Sequence, residues 1–136
     1  MIPEILGEAS VKLRLLWTST TLNVEDLIRV LKVEPNGTWN MGDPVHPAAT
    51  NVRKENCVLI QASGNSLSKA ASSLIEAIRP NEAQLMLIHS DVEVELSCII
   101  TIDPDTPELH LTAAQVRFFS SLHAAFDMDV YSFVDA

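Results

Sequence analysis

Apolar and polar residues alternate through SVKLRLLWT (10–18), with Val11, Leu13, Leu15 and Trp17 on one side and Lys12 and Arg14 on the other. A period of two predicts a strand with one buried face. The period then lengthens: in NVEDLIRVLKV (23–33), Val24, Leu27, Ile28 and Leu31 recur at i, i+3, i+4 and i+7. That spacing predicts a short amphipathic helix, capped by Asn23 and carrying Glu25 and Asp26 in the first turn, where the helix dipole favours acids. Glu34-Pro35-Asn36-Gly37 ends it, because proline disfavours helical angles at the preceding residue and Asn-Gly favours a tight turn.

Beyond the loop TWNMGDPVHP (38–47), NCVLIQAS (56–63) reads as a second strand broken by Gly64-Asn65. SLSKAASSLIEAIR (66–79) reads as a second helix, with Ser66 as cap, Pro80 past its end, and Leu67, Ala70, Ala71, Leu74 and Ile78 on one stripe. The small residues in that stripe predict close approach to a sheet. AQLMLIH (83–89) and VEVELSCIITID (92–103) read as strands joined by a hairpin at Ser90-Asp91. In the latter, Val92, Val94, Leu96, Cys98, Ile100 and Ile102 alternate with Glu93, Glu95, Ser97, Ile99, Thr101 and Asp103, so one face is dry and the other largely wet. Antiparallel sheets tolerate one solvated face, whereas all-parallel sheets are covered on both. DPDTP (103–107) reads as a loop. Thr112 and Gln115 have capping-box spacing before a third helix carrying Val116, Phe119, Leu122 and Phe126, and DMDVYSF (127–133) closes the chain as an edge strand. The expected architecture is α+β: a two-layer sandwich of a mainly antiparallel sheet of about five strands, with three helices packed largely on one face. Residues 1–136 read as a single domain, with 1–9 as an N-terminal arm.

Composition narrows the class. Apolar residues make up 47% of the chain and charged residues 20%, a balance that supplies a core and argues against disorder. The longest apolar runs, such as Leu85 to Ile88, fall far short of the roughly 20 residues of a membrane span. The N-terminus MIPEILGEAS lacks the basic and apolar regions of a secretory signal. Cys57 and Cys98 both lie in apolar strand-like runs, where buried free thiols are expected, and this points to a reducing cytoplasm.

The net charge of −9 is unevenly distributed: residues 1–80 hold eight acids and eight bases, whereas residues 81–136 hold ten acids and one base, Arg117. With no basic cluster beyond Arg53-Lys54, nucleic acid is not an expected partner, since phosphate binding needs Lys and Arg to displace counterions. An acidic surface suits either solubility or a basic protein partner.

Several pieces in order carry a resemblance: NVEDLIRVLKV followed by Glu34-Pro35, the loop TWNMGDP, a helix ending IRP, the strand VEVELSCII, then LHLT and a helix leading into DMDVY. Over about residues 10–133 the chain resembles the bacterial family catalogued as domain of unknown function 4279. Asn40 and Met41 stand where that family usually has basic residues, and Asn56-Cys57 begin a strand that often begins with Trp. The resemblance implies a fold class and supplies no activity.

Two sets of residues are candidates for function. In the loop, Trp39, Asp43 and His46 could form a ligand-binding site, with the indole stacking and the other two supplying acid/base groups. The plainer reading makes Gly42-Asp43-Pro44 a turn in which Asp43 bonds its own backbone and Trp39 covers a sheet edge or the core. The acids Glu93, Glu95, Asp103 and Asp105 form a candidate protein-binding surface, or simply the solvated face that alternation requires. His46, His89, His110 and His123 have no ligand-type spacing, so no metal is expected. No nucleophile motif or phosphate loop is present, and no cofactor is expected. The functional expectation is a non-catalytic, immunity-like cytoplasmic module that binds a basic protein through an acidic surface. The alternative is a small-ligand receptor or enzyme using the Trp39 loop, and homodimerisation is compatible with either.

Overall fold

The computed structural model describes residues 10–87 and 89–132; the N-terminal arm at 1–9, Ile88 and residues 133–136 lie outside them. In chain order the elements are β1 (Ser10–Ser19), α1 (Val24–Leu31), β2 (Gly37–Trp39), β3 (Asn56–Gly64), α2 (Leu67–Ile78), a 3-10 turn (Arg79–Asn81), α3 (Glu82–Leu85), β4 (Glu93–Ile102), α4 (Ala113–Ser121) and β5 (Ala125–Ser132). The five strands form one sheet in the order β2-β3-β1-β4-β5. Three pairings are antiparallel; β4 and β5 run parallel, as a strand-helix-strand crossover through α4 requires.

The expected strand β1 lies at the centre of the sheet. Its Val11, Leu13, Leu15 and Trp17 are buried beneath the helices, together with Val58 and Ile60 of β3 and Leu96, Cys98 and Ile100 of β4. Leu27 and Leu31 of α1, the stripe Leu67, Ala70, Ala71, Leu74, Ile75 and Ile78 of α2, and Phe119 and Leu122 from the α4 end complete this core. Burying each large side chain contributes about 1.5–3 kcal/mol.

The helix starts follow the expected caps. Asn23 Oδ1 accepts from the Asp26 N–H at 2.8 Å, and Ser66 Oγ accepts from the Lys69 N–H at 3.2 Å. Thr112 and Gln115 close their capping box, with Gln115 Oε1 accepting from the Thr112 N–H and Thr112 Oγ1 accepting from the Gln115 N–H. Gln115 is buried, and its Nε2 also donates to Ser68 O and Ser72 Oγ, tying α4 to α2.

Two expectations are corrected. The segment 83–89 is not a strand: Pro80 sits in the 3-10 turn and α3 follows at once, so no hairpin joins it to β4, whose neighbours are β1 and β5. The physical reason is the end of α1. Gln84 Nε2 donates to Val30 O, and Asn81 Nδ2 to Lys32 O, so this segment satisfies carbonyls that the helix terminus leaves open. A short apolar run has no periodicity to separate the two outcomes. In the third helix, Val116 is exposed and Phe126 belongs to β5, so only Phe119 and Leu122 of the expected stripe are buried.

Candidate functional site

On the sheet face opposite the helices Leu16, Cys57, Leu59 and Ser97 are buried and the acids are exposed, and register fixes what the face displays. One row across it runs Trp39, Cys57, Thr18, Glu93; the next runs Gly37, Leu59, Leu16, Glu95, Ala125. Below these lie Gln61, Arg14, Ser97 and Asp127, then Ser63, Lys12, Ile99 and Asp129. Leu16, Cys57 and Leu59 form a small second apolar cluster covered by Trp39. The acids therefore occupy the β4 and β5 side, and the bases Lys12 and Arg14 sit on the central strand.

The Trp39 loop is built by its own polar groups. Asp43 Oδ2 accepts from the Asn40 N–H at 2.8 Å, the Asp43 N–H donates to Asn40 O at 3.0 Å, and Gly42 takes the left-handed φ of 96° that the turn demands. Buried Asn56 anchors the loop, accepting from the Met41 N–H and donating to Leu22 O. The Arg53 guanidinium lies 3.8 Å from the Trp39 ring centre and donates to Val45 O, so a cation from the same loop already stacks on the indole. His46 is exposed and makes no side-chain hydrogen bond to Asp43. Of this candidate set, Trp39 lies on the face opposite the helices, Asp43 bonds the turn, and His46 faces water.

The acids divide differently from the sequence expectation. Glu93 and Glu95 are exposed at the start of β4 and share a concavity of about 390 Å³ with Trp39, Leu16, Thr18 and Glu55. Asp103 and Asp105 lie past the far end of the same strand, roughly 30 Å away along the extended chain. Asp103 is buried there, its N–H donating to Asp105 O. What joins Glu93 and Glu95 instead is Glu55 from the chain entering β3, and Asp127 and Asp129 from β5. The ion pairs among the described residues, Arg29 with Asp26 and Arg79 with Glu82, involve none of these five carboxylates. Sequence reasoning missed Glu55 because its neighbours across the face come from β1, β2 and β4.

The cysteines are free and buried, on opposite faces of the sheet: Cys57 under Trp39, Cys98 in the main core. Burial, reinforced by the nearby Glu55 charge, pushes the Cys57 thiol up to about 12, and burial raises Cys98 as well. Both stay protonated at neutral pH and are poor nucleophiles. Among the described residues no group of three or more His, Cys, Asp or Glu side chains is placed to hold a metal ion.

A second concavity, of about 300 Å³, opens at the end of the sheet where β1 leaves and β4 enters. Trp17, Leu31, Leu85, Leu122 and Val94 form its apolar wall, and His89, His123 and Glu93 add polar groups. Among the described residues Trp17 Nε1 and His89 Nε2 are buried without a hydrogen-bond partner and line this one cavity; Trp39 Nε1 and Arg14 Nε, away from it, share that state. Such orphaned groups are uncommon in native interiors. His123 follows α4 in the left-handed region at φ 60°, a place usually taken by Gly or Asn, and its N–H donates to Ser120 O. Sequence spacing held no sign of this site: His89 and His123 come together only through the fold, and Trp17 reads as core.

No helix among the described residues is long and apolar enough to cross a membrane. No curated protein and no solved structure matches the chain. The sequence model of one family matches residues 8–133, nearly the whole length, and the resemblance carried by TWNMGDP, VEVELSCII and DMDVY thereby holds: the chain belongs to the family described as Domain of unknown function (DUF4279).

Proposed function

We propose that the protein is a non-catalytic protein-binding module, immunity-like in character, whose acidic face receives a basic partner. The observation that carries this reading is the set of carboxylates Glu55, Glu93 and Glu95 gathered around Trp39, unpaired and continued across the face by Asp127 and Asp129. Unpaired like charges on one face raise the local potential and speed the encounter with an oppositely charged surface. Two buried free thiols fit a reducing compartment such as the cytoplasm.

The test is charge reversal at the two exposed strand positions. Glu93→Lys/Glu95→Lys leaves the buried face of β4 untouched, so the variant folds. It is expected to weaken capture of a basic partner from the native host's lysate at least about tenfold, with wild-type capture also falling as salt rises. Equal capture by the variant, or capture indifferent to salt, would sink the reading.

A second reading, binding of a small uncharged molecule, draws support from the end cavity, which is lined by two groups without hydrogen-bond partners among the described residues, the Trp17 indole N–H and His89 Nε2. Its ligand would be largely apolar with one hydrogen-bond acceptor such as a carbonyl, since Glu93 at the rim opposes an anion. The two tryptophans give two indole N–H resonances, assigned by Trp39→Phe. Cyclohexanone is expected to move the Trp17 signal saturably while methylenecyclohexane, the same shape without the acceptor, leaves it in place. A ligand that moves only the Trp39 signal would return the site to the Trp39, Asp43 and His46 loop; an unmoved pair of signals disposes of both.

A further inference from the structure

The two edges of the sheet are built differently. At one end β2 is only Gly37–Trp39, and the 40–54 loop folds beside it with its own bridge between Pro44 and Val52. At the other end β5 runs for eight residues, every one of them exposed, and over Ala125–Tyr131 its strand partner among the described residues is β4. On the helix side its Phe126, Met128 and Val130 are 53%, 41% and 54% exposed, next to exposed Val116 of α4. An apolar groove lined by Leu111, Val116, Phe119 and Phe126 continues that strip. On the other side the same strand shows Asp127 and Asp129. An edge of this length presents a row of main-chain donors and acceptors to another strand, and proteins ordinarily blunt such edges.

Resting on the protein-binding reading above, we propose that β5 is the docking edge itself, and that the partner adds an extended strand with Lys or Arg at alternate positions and apolar residues between them. Successive side chains of an added strand point to opposite faces. Laid along β5, the basic set would stand opposite Asp127 and Asp129, and the apolar set would cover Phe126, Met128 and Val130.

Charge selects this occupant over two others. A second copy pairing antiparallel about a two-fold axis centred on Met128 sets Asp127 opposite Asp129 of the other copy; centring on Asp129 sets that residue opposite itself. Like charges directly opposite across strands are destabilising, so in these registers, which use most of the strand, the aspartates oppose self-pairing while leaving β5 open to a basic strand. Residues 1–9 carry Glu4 and Glu8 and no Lys or Arg, and so offer no complement to the pair.

The test uses the full chain and three end-capped peptides of one composition: alternating Lys-Val-Lys-Val-Lys-Val-Lys, its blocked isomer with all lysines first, and the alternating peptide with methylated backbone nitrogens. The alternating peptide is expected to bind about tenfold tighter than either other peptide, to perturb the β5 amides, and to lose its advantage in Asp127→Asn/Asp129→Asn. Equal, salt-sensitive binding of all three peptides overturns the strand inference and leaves the acidic-face reading standing. Failure of all three to bind overturns the inference and the charge attraction beneath it. A dimer in sedimentation that protects the same amides overturns it in favour of a second copy.

Discussion

Replacing Trp17 with alanine lowers the free energy of unfolding by about 3–5 kcal/mol. The side chain is 1% exposed, on the central strand, with Val58 and Val94 as its cross-strand partners. It also walls the cavity at the end of the sheet, so truncation enlarges a space that already exists and removes packing from Leu31, Leu85 and Leu122. Trp17→Phe separates the two roles of the indole. It keeps most of the apolar volume and removes the N–H that has no acceptor, so its cost falls well below that of the alanine variant. Urea unfolding followed by circular dichroism measures both. An alanine variant within about 1 kcal/mol of wild type would mean that the wall is loosely packed and the core does not depend on Trp17.

The parts of the fold that were legible in the sequence are those in which local pattern and tertiary burial agree. Residues 92–102 alternate because one face of β4 meets helices and the other carries mostly polar residues; on that second face Glu93 and Glu95 are exposed as the pattern demands, while Ser97 is buried. Asn23, Ser66 and Thr112 each cap the expected helix, since a side-chain oxygen beside an open N–H is a local matter. Residues 83–89 misled for the opposite reason: what decides their conformation is the carbonyl end of α1, over fifty residues earlier, to which Gln84 donates. Val116 sits at a helical spacing that suits burial, yet it is half exposed, because α4 ends in a crossover to an edge strand.

The candidate site was legible only in pieces. Charge imbalance pointed to the C-terminal acids, but a count of charges has no geometry. It grouped Asp103 and Asp105 with Glu93 and Glu95, although a full strand separates the pairs. In sequence Trp39 and the glutamates read as rival sites, whereas the register of β2, β3, β1 and β4 puts them around one concavity. Cross-strand register is a property of pairing, and a single strand's sequence does not specify its neighbour.

Gly64 is where the small-residue stripe of α2 and the end of β3 meet, and the second large effect is expected there. Opposite Val11, it lies on the helix side of the sheet, and a Cβ built on it would stand 2.9 Å from the Ala70 backbone nitrogen and 3.2 Å from Lys69 Cβ. The obstacle is main chain, so no rotamer change relieves it; either α2 or the strand end has to move. Ala70 and Ala71 are fully buried in the core, so displacing the helix opens the contact that their size permits. Gly64→Ala is expected to cost about 1–3 kcal/mol, an overpacking penalty, and Gly64→Val more, with its two further methyl groups in the same space. Chemical denaturation measures the loss, and amide exchange locates it, with α2 losing protection before β1. Wild-type stability in Gly64→Ala would show that α2 rides higher on the sheet than this packing requires. The break at Gly64-Asn65 would then be only a turn signal, with no part in seating the helix.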